Sequence, residues 1–379
     1  MSGTTYPNYS PGLEGIVAGI TTISEIDSNH SSLIFRGIHC HEMAGQVTYE
    51  ETAYLLLYGK LPNVAELKAF KETLGAEREV PSAVYEALAA LPKTTHPMDS
   101  IRAAYGVLAP HDADYGVNDH DANVRKAVRI IAKAGTMVAN GWRLSQGQGI
   151  VKPDPTLSTA ANFLYMLNGE KPDYQTERTF DSSLTLYAEH GFNASTFACR
   201  VTVSTLSDLY SGVISGIGAL KGPLHGGANE EAMRMLLEIG EPENAEAWIR
   251  DALAQKKKVM GFGHREYKKG DSRAFYLSPM TKDLGRAKGI TKWGDIADIL
   301  EDVMLKEKNL YPNVDFVTGY LYYLLGIPID LYTPIFVSAR VAGWCAHAIE
   351  QLDHNRLIRP TVIYEGPHDV HLTPLSRRP

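Results

Sequence analysis

The chain is poor in several features that would narrow its function at once. Only three of its 379 residues are cysteines, Cys40, Cys199 and Cys345, and they lie far apart. That is too sparse for a disulfide framework and suits a reducing, cytoplasmic setting. Positive charge is not in excess: 37 Lys and Arg stand against 44 Asp and Glu, a formal net charge of -7. Neither a nucleic-acid nor a membrane partner is expected from that balance. The opening Met1-Ser-Gly-Thr-Thr-Tyr-Pro has no basic region followed by an apolar core, so no signal peptide is read there. Long apolar runs are also missing. The most membrane-like stretch, 319–337, is interrupted by Pro328, Asp330 and Pro334 and reads as a buried helix followed by a turn. There is no Walker loop, nucleophile elbow or internal repeat, and Gly261-Phe-Gly263 lacks the third glycine of a dinucleotide fingerprint.

Hydrophobic residues make up 44% of the chain and charged residues 21%. This is an ordinary soluble composition, and the length allows two domains. Residues 50–70 read as helical, with Ala53, Leu56, Leu57 and Leu61 on one face until Pro62 breaks it. Residues 126–140 align Val128, Ile131, Ala132 and Gly135 in the same way. In 194–220, Val201, Val203 and Thr205 favour strand by propensity. Leu206, Leu209, Tyr210, Val213, Ile214 and Ile217 nevertheless recur at helical spacing, which predicts one long buried helix. Strand alternation is rare elsewhere, so the fold class is mainly α. Glycines at Gly222 and Gly226-Gly227, and again at Gly319 and Gly326, mark two joints. The segment between them reads as an inserted domain able to move against the rest.

The chemistry concentrates in a few awkward places. Lys221-Gly-Pro-Leu-His225-Gly-Gly-Ala-Asn229-Glu-Glu sets a histidine in permissive backbone just before a helix, with Asn229 available as cap and Gly240 as stop. His190 and Asn193 fall in Glu-His-Gly-Phe-Asn. His264 follows Gly-Phe-Gly, where backbone amides can approach a ligand closely. Asp315 lies between Val314 and Phe316; burial there would raise its pKa and suit it to general-base work. Arg340 sits in an apolar run, and a buried guanidinium needs an anion; Arg273 and Arg359 are further anion clamps. Lys256-Lys-Lys258 signals phosphate only weakly. Two clusters are set aside. Ile38-His-Cys-His-Glu42 has no second cluster to complete a metal site. The 112–119 loop resembles a calcium loop in composition only and reads as an exposed acidic loop.

Taken together, these segments resemble the citrate synthase family over nearly the whole chain. The match runs from Gly12-Leu-Glu-Gly15 and Leu33-Ile-Phe-Arg-Gly37 through His96-Pro-Met-Asp99, His190-Gly-Phe-Asn193, Gly222-Pro-Leu-His225-Gly-Gly, Gly261-Phe-Gly-His264, Asp315 and Ser338-Ala-Arg340. It ends near Arg359-Pro360 and Gly366-Pro367. The resemblance implies a mostly helical, two-domain fold. Residues 1–221 and 326–379 would form the large domain, and 222–325 an inserted small domain with the CoA and catalytic loops. Asp315, His225 and His264 would be catalytic. His190, Asn193, Arg273, Arg340 and Arg359 would bind oxaloacetate. Val259, Met260, Gly261, Phe262 and Gly263 would meet the CoA adenine, with Arg265 and Lys268 serving its phosphates. Acetyl-CoA would be a co-substrate, with no tightly bound cofactor or metal, in a step of the tricarboxylic acid cycle. Asp271-Ser-Arg273 has serine where many relatives have proline. The extra domain of the longer, NADH-inhibited type is missing. The short type is usually a homodimer whose active site borrows an arginine from the partner, and the 194–220 helix fits a dimer interface; higher assembly stays open. Two alternatives remain. One is 2-methylcitrate synthase, using propionyl-CoA, although Phe316 after the base looks more like the citrate-forming group. The other is a non-catalytic assembly protein.

Overall fold

Several helices begin where a side chain caps them. Thr48 and Asn63 each form a capping box with the glutamate three residues on, Glu51 and Glu66. Asp119, Ser158, Asp173, Asn193 and Asp208 cap others through single side chains. The computed structural model describes residues 9–27, 31–264, 267 and 269–378. It contains a small antiparallel sheet, β1 (Ser24–Asp27), β2 (Ser32–Phe35) and β3 (Ile38–His39), with Ser24 opposite Phe35 and Ile34 opposite His39. Helices then follow: α1 (Cys40–Met43), α2 (Tyr49–Tyr58), α3 (Val64–Ala76), α4 (Ser82–Ala90), α5 (Pro97–Leu108), α6 (His120–Ser145), α7 (Thr159–Asn168) and α8 (Tyr174–Tyr187). The remainder are α9 (Ala194–Val203), α10 (Leu209–Leu220), α11 (Ala228–Ile239), α12 (Pro242–Ala254), α13 (Ser272–Ala287), α14 (Lys292–Lys308), α15 (Val314–Leu324) and α16 (Tyr332–Asp353). The fold is mostly helical, as the periodicity predicts. No helix among the described residues is long and apolar enough to cross a membrane.

Helix α16 is the axis of the core. Eighteen of its 22 residues are buried, so it is enclosed on every side. It packs against α6, α9, α10, α2 and α8. Close approach needs small residues: a Cβ on Gly216 of α10 would stand 3.0 Å from the Trp344 ring. The helices of the 222–325 segment pack largely on each other, α11 on α15, α12 on α14 and α13 on α15.

Three sequence expectations change. The 194–220 stretch is two helices, not one. α9 ends near Val203, Leu206 adopts φ 65°, and the Asp208 carboxylate accepts the Ser211 N–H at 3.0 Å to start α10. The two helices pack together, with Gly212 against Val203 and Cys199. Leu61 lies beyond α2, which ends at Gly59 in the left-handed region. Gly319 is no joint; it sits inside α15, where a Cβ would stand 3.0 Å from the Asn229 carbonyl. The 112–119 loop is exposed along most of its length, as expected, with Asp112 as the exception. Asp112 is buried and accepts from Arg129 Nε at 2.8 Å and Tyr210 Oη at 2.7 Å.

That last network yields a stability prediction. Burial works against ionisation of Asp112, but hydrogen bonds from Arg129 and Tyr210 outweigh it and hold the carboxyl below its ordinary range. A depressed native pKa stabilises above the unfolded value near 4, and the contribution is lost as pH falls through the native one. Asp112→Ala leaves Arg129 and Tyr210 without that partner. It should cost about 3 kcal/mol at neutral pH, with a smaller deficit in acid. Urea unfolding at both pH values measures this; an equal deficit at each would contradict it.

Candidate active site

Five separate segments converge on a cavity of about 110 Å³. Its walls include Tyr187 at the end of α8, His190 just after it, His225 before α11, His264 after the 259–263 turn, Arg273 in α13, Asp315 in α15 and Arg340 in α16.

Glycine geometry sets His225. Gly227 has φ 77° and takes the N-cap position of α11 without a side-chain cap. A Cβ on Gly226 would stand 2.2 Å from the Leu220 carbonyl, so the loop can double back only with glycine there. Asn229 is therefore not the cap. It lies inside α11, buried, with Oδ1 accepting the Glu230 N–H at 2.9 Å. Lys221 anchors the loop from outside through Asp99 Oδ2 at 2.6 Å. The backbone N–H of Ser195 donates to His225 Nε2 at 3.2 Å, and Ser195 Oγ lies 2.8 Å from the same nitrogen. An accepting Nε2 puts the ring proton on Nδ1. Burial, then Arg340, pushes the His225 pKa down to about 4, so the ring is neutral near pH 7.

His264 is held likewise. Burial and then Arg273 take its pKa down to about 4, against an opposing effect of Asp271. Its ring lies 4.5 Å from Tyr267 and 5.2 Å from His190, centroid to centroid. His190 Nε2 is 3.1 Å from Tyr267 Oη. The loop before His264 is zipped to the entrance of α15: Asn313 N–H donates to the Gly261 carbonyl at 2.8 Å and Gly263 N–H to the Tyr311 carbonyl at 2.9 Å. Gly261 has φ 80°, and a Cβ there would meet Phe316 Cβ at 2.6 Å. Val259 and Phe262 are buried.

Asn313 also caps α15 through the Asp315 N–H at 3.1 Å, so the carboxyl of Asp315 is free of capping duty. Burial raises the Asp315 pKa; a Tyr187 hydrogen bond and the Arg273 and Arg340 charges oppose that rise, while Asp271 adds to it. Tyr187 Oη donates to Asp315 Oδ1 at 2.6 Å.

The two arginines of the cavity differ. Arg273 is paired: Nε and one terminal nitrogen each donate to Asp271 at 2.9 Å. Asp271 Oδ2 also accepts the Val314 N–H at 3.0 Å, which ties α13 to the start of α15. Arg340 is buried, and no carboxylate among the described residues forms an ion pair with it. Nε donates to the Tyr187 carbonyl at 2.7 Å, and the guanidinium lies 4.6 Å from the Phe336 ring centroid. Burial pulls its pKa down to about 10 despite the help of Glu189. An unpaired, buried cation opening on a cavity is a site for an anion.

Two expected site residues stand elsewhere. Asn193 does not line the cavity; it caps α9 through the Ser195 and Thr196 N–H groups at 3.1 and 3.0 Å, and so holds Ser195 against His225. Arg359 is exposed, outside the cavity of its own chain. Phe316 is fully buried 4.8 Å from the Phe262 ring, beneath the cavity rather than in it. Arg265 and Lys268 lie outside the described residues. Tyr187, Ser195, Asp271 and Asn313 escaped the sequence reading of the site. Asn313 carried a capping signal, a polar residue just before an apolar helical run; Tyr187 carried none. Among the described residues, no group of three His, Cys, Asp or Glu side chains is placed to hold a metal. His41 of the early His-Cys-His run instead stacks on Tyr276 at 5.1 Å.

Comparison with known proteins follows the same lines. Residues 12–361 match the family model described as citrate synthase, C-terminal domain. The chain is 45% identical to citrate synthase 2 of Bacillus subtilis over 97% of its length and 98% of that protein. It is 44% identical to a 2-methylcitrate synthase of Mycobacterium tuberculosis over 97% of its length and 93% of that protein. The fold matches citrate synthase from Pyrobaculum aerophilum with a TM-score of 0.91 at 40% identity, covering 97% of this chain and 95% of that one. It also matches the Thermoplasma acidophilum enzyme, solved as a ternary complex with carboxymethyl coenzyme A and oxaloacetate, with a TM-score of 0.91 at 35% identity, covering 98% and 99%. This chain thus belongs to the citrate synthase family, and it is a carbon–carbon bond-forming condensing enzyme of the acyltransferase type.

Proposed function

We propose that the enzyme condenses acetyl-CoA with oxaloacetate and hydrolyses the resulting citryl-CoA to citrate and CoA, as in the tricarboxylic acid cycle. The observation that carries this reading is one half-buried carboxylate, Asp315, sharing a cavity with two neutral histidines and an arginine that no carboxylate among the described residues pairs with. Asp315 takes a proton from the acetyl methyl carbon. The thioester oxygen, which gains the charge, accepts a hydrogen bond from His225 Nδ1–H. A weakly acidic carbon needs both at once. The enol carbon then attacks the ketone of oxaloacetate, which His264 polarises, and the new alkoxide takes its proton from His264. Water cleaves the thioester.

Oxaloacetate carries two carboxylates. Arg340 receives one, His190 and the outward face of Arg273 help hold the substrate, and Arg359 completes the pocket from the partner of a homodimer. The exposure of Arg359 in the single chain supports that last role. The 222–325 segment closes on the remainder to keep water out, which its mostly internal helix packing supports. Residues 259–263 cradle the CoA adenine, with Arg265 and Lys268 at its phosphates. Acetyl-CoA enters as a co-substrate, and the expected setting is cytoplasmic.

A second reading has propionyl-CoA as the donor, giving 2-methylcitrate. It is favoured by the 44% identity to a protein of that name, while Phe316 after the base still resembles the citrate-forming group. One methylene is worth only about 1–3 kcal/mol of discrimination. Oxaloacetate-dependent thiol release should occur with acetyl-CoA at a kcat/KM at least tenfold above that for propionyl-CoA. The reverse ratio would assign the second reading, and no release from either would remove both.

A further inference from the structure

The base of the proposed reaction has a hydrogen-bond partner that the reaction itself does not use. Tyr187 is fully buried, yet it forms part of the cavity wall. Its hydroxyl lies 2.6 Å from Asp315 Oδ1 and 2.6 Å from Thr318 Oγ1. A phenol has one proton, and an ionised carboxylate can only accept. The proton therefore points at Asp315. Asn229 approaches the phenol oxygen from the other side, its Nδ2 at 3.5 Å. That amide's orientation is set, because its Oδ1 accepts the Glu230 N–H.

We propose that Tyr187 is the positioning residue of the general base: its hydroxyl holds Asp315 Oδ1 and leaves Oδ2 to face the carbon acid. This rests on the reading of Asp315 as the base. Among the described residues no hydrogen bond reaches Oδ2, and Asp315 borders the cavity, so Oδ2 is the oxygen left for substrate. Tyr187 is fixed at both ends for this task. Its ring stands edge-on to Phe336 at 4.3 Å, and its carbonyl accepts from Arg340 Nε at 2.7 Å. One residue therefore links the base to the arginine proposed to hold oxaloacetate. It sets the direction of proton removal relative to the bound ketone.

The charged and titratable groups facing Asp315 are Tyr187 from α8, Arg340 from α16, Asp271 and Arg273 from the start of α13, and the loop histidines His225 and His264. Burial holds the carboxyl up, and the Tyr187 hydrogen bond is the first effect acting against it. Removing a donor to the charged form raises a carboxyl pKa further. The acid limb of kcat, below which the base is protonated, then moves to higher pH.

The test is the pH profile of kcat for three proteins. In Tyr187→Phe the acid limb should rise by about one pH unit. kcat should fall at least tenfold below the limb, with the oxaloacetate KM within about threefold, because the Arg340 contact is to the backbone. Site-specific 3-fluorotyrosine at 187, a stronger donor in an unchanged shape, should move the limb the other way; it also covers failure of the Phe variant to fold. A limb unmoved in the fluorinated enzyme, or a Phe variant that loses kcat equally at every pH, would overturn the proposal. Asp315→Asn, measured in parallel, separates the two levels. If it abolishes turnover while the limb ignores residue 187, only the Tyr187 role falls. If it turns over normally, the assignment of the base falls.

Discussion

Asp315→Asn should lower kcat for condensation by about 10³-fold while leaving oxaloacetate affinity within about threefold. The amide has nearly the same shape and still accepts the Tyr187 hydroxyl, so packing in α15 is retained. What disappears is the ability to take a proton. The effect should be large because nothing nearby substitutes for it. His225 and His264 are held neutral, with pKa values near 4, by burial and by Arg340 and Arg273 respectively, and their accepting nitrogens are turned to protein donors. The other carboxylate acting on Asp315, Asp271, is spent on Arg273 and on the Val314 N–H. Thiol release measures kcat, and calorimetric titration with oxaloacetate measures binding. A variant within tenfold of the parent would remove Asp315 from the reaction.

Arg340→Met should have the second largest effect, and an unusual pairing of signs. kcat/KM for oxaloacetate should fall about 10³-fold, within the 2–5 kcal/mol typical of truncating one partner of a buried charge pair. The Tm of the ligand-free protein should nevertheless not fall. In the free enzyme Arg340 is a buried cation without an ion-pair partner among the described residues, and its lowered pKa reflects that cost. A neutral side chain of similar volume relieves it, offsetting the lost bond to the Tyr187 carbonyl. The rise in Tm that saturating oxaloacetate gives the parent should vanish in the variant. Arg273→Met provides the contrast within the same cavity. It strands Asp271, a buried carboxylate that now has a bidentate partner, so Tm should drop along with activity. Thermal scans with and without oxaloacetate read all of these. A ligand-free Tm well below the parent's in Arg340→Met would mean that this arginine is structural.

Both predictions depend on a distinction that could be read only partly from residue order. That Arg340 would be buried followed from its apolar neighbours; that Arg273 would be neutralised and Arg340 left bare did not. Asp271 lies two residues from Arg273, yet the pairing needs the α13 turn to direct both side chains the same way. Asn193 shows the reverse case. Its motif marked it for the pocket, but a polar side chain just before an apolar helical run serves the nearest backbone N–H groups first, and it caps α9 instead. Phe316 follows Asp315 in sequence and is separated from the cavity by a helix's geometry, since consecutive residues of a helix face about 100° apart.

Residue order alone makes legible the helical class, the glycine-bound loops around His225 and His264, and a carboxylate and an arginine set among apolar neighbours. Those are local properties: a repeat of 3.6 residues, a φ that only glycine adopts cheaply, and a charge among apolar neighbours. Tertiary structure alone decided where the 194–220 stretch breaks, because two short helices and one long one share the same apolar period. It alone brought Tyr187 to Asp315, 128 residues away in sequence, and Ser195 to His225, 30 residues away. Such contacts follow from how helices pack, and no local spacing encodes which buried hydroxyl will meet which carboxylate.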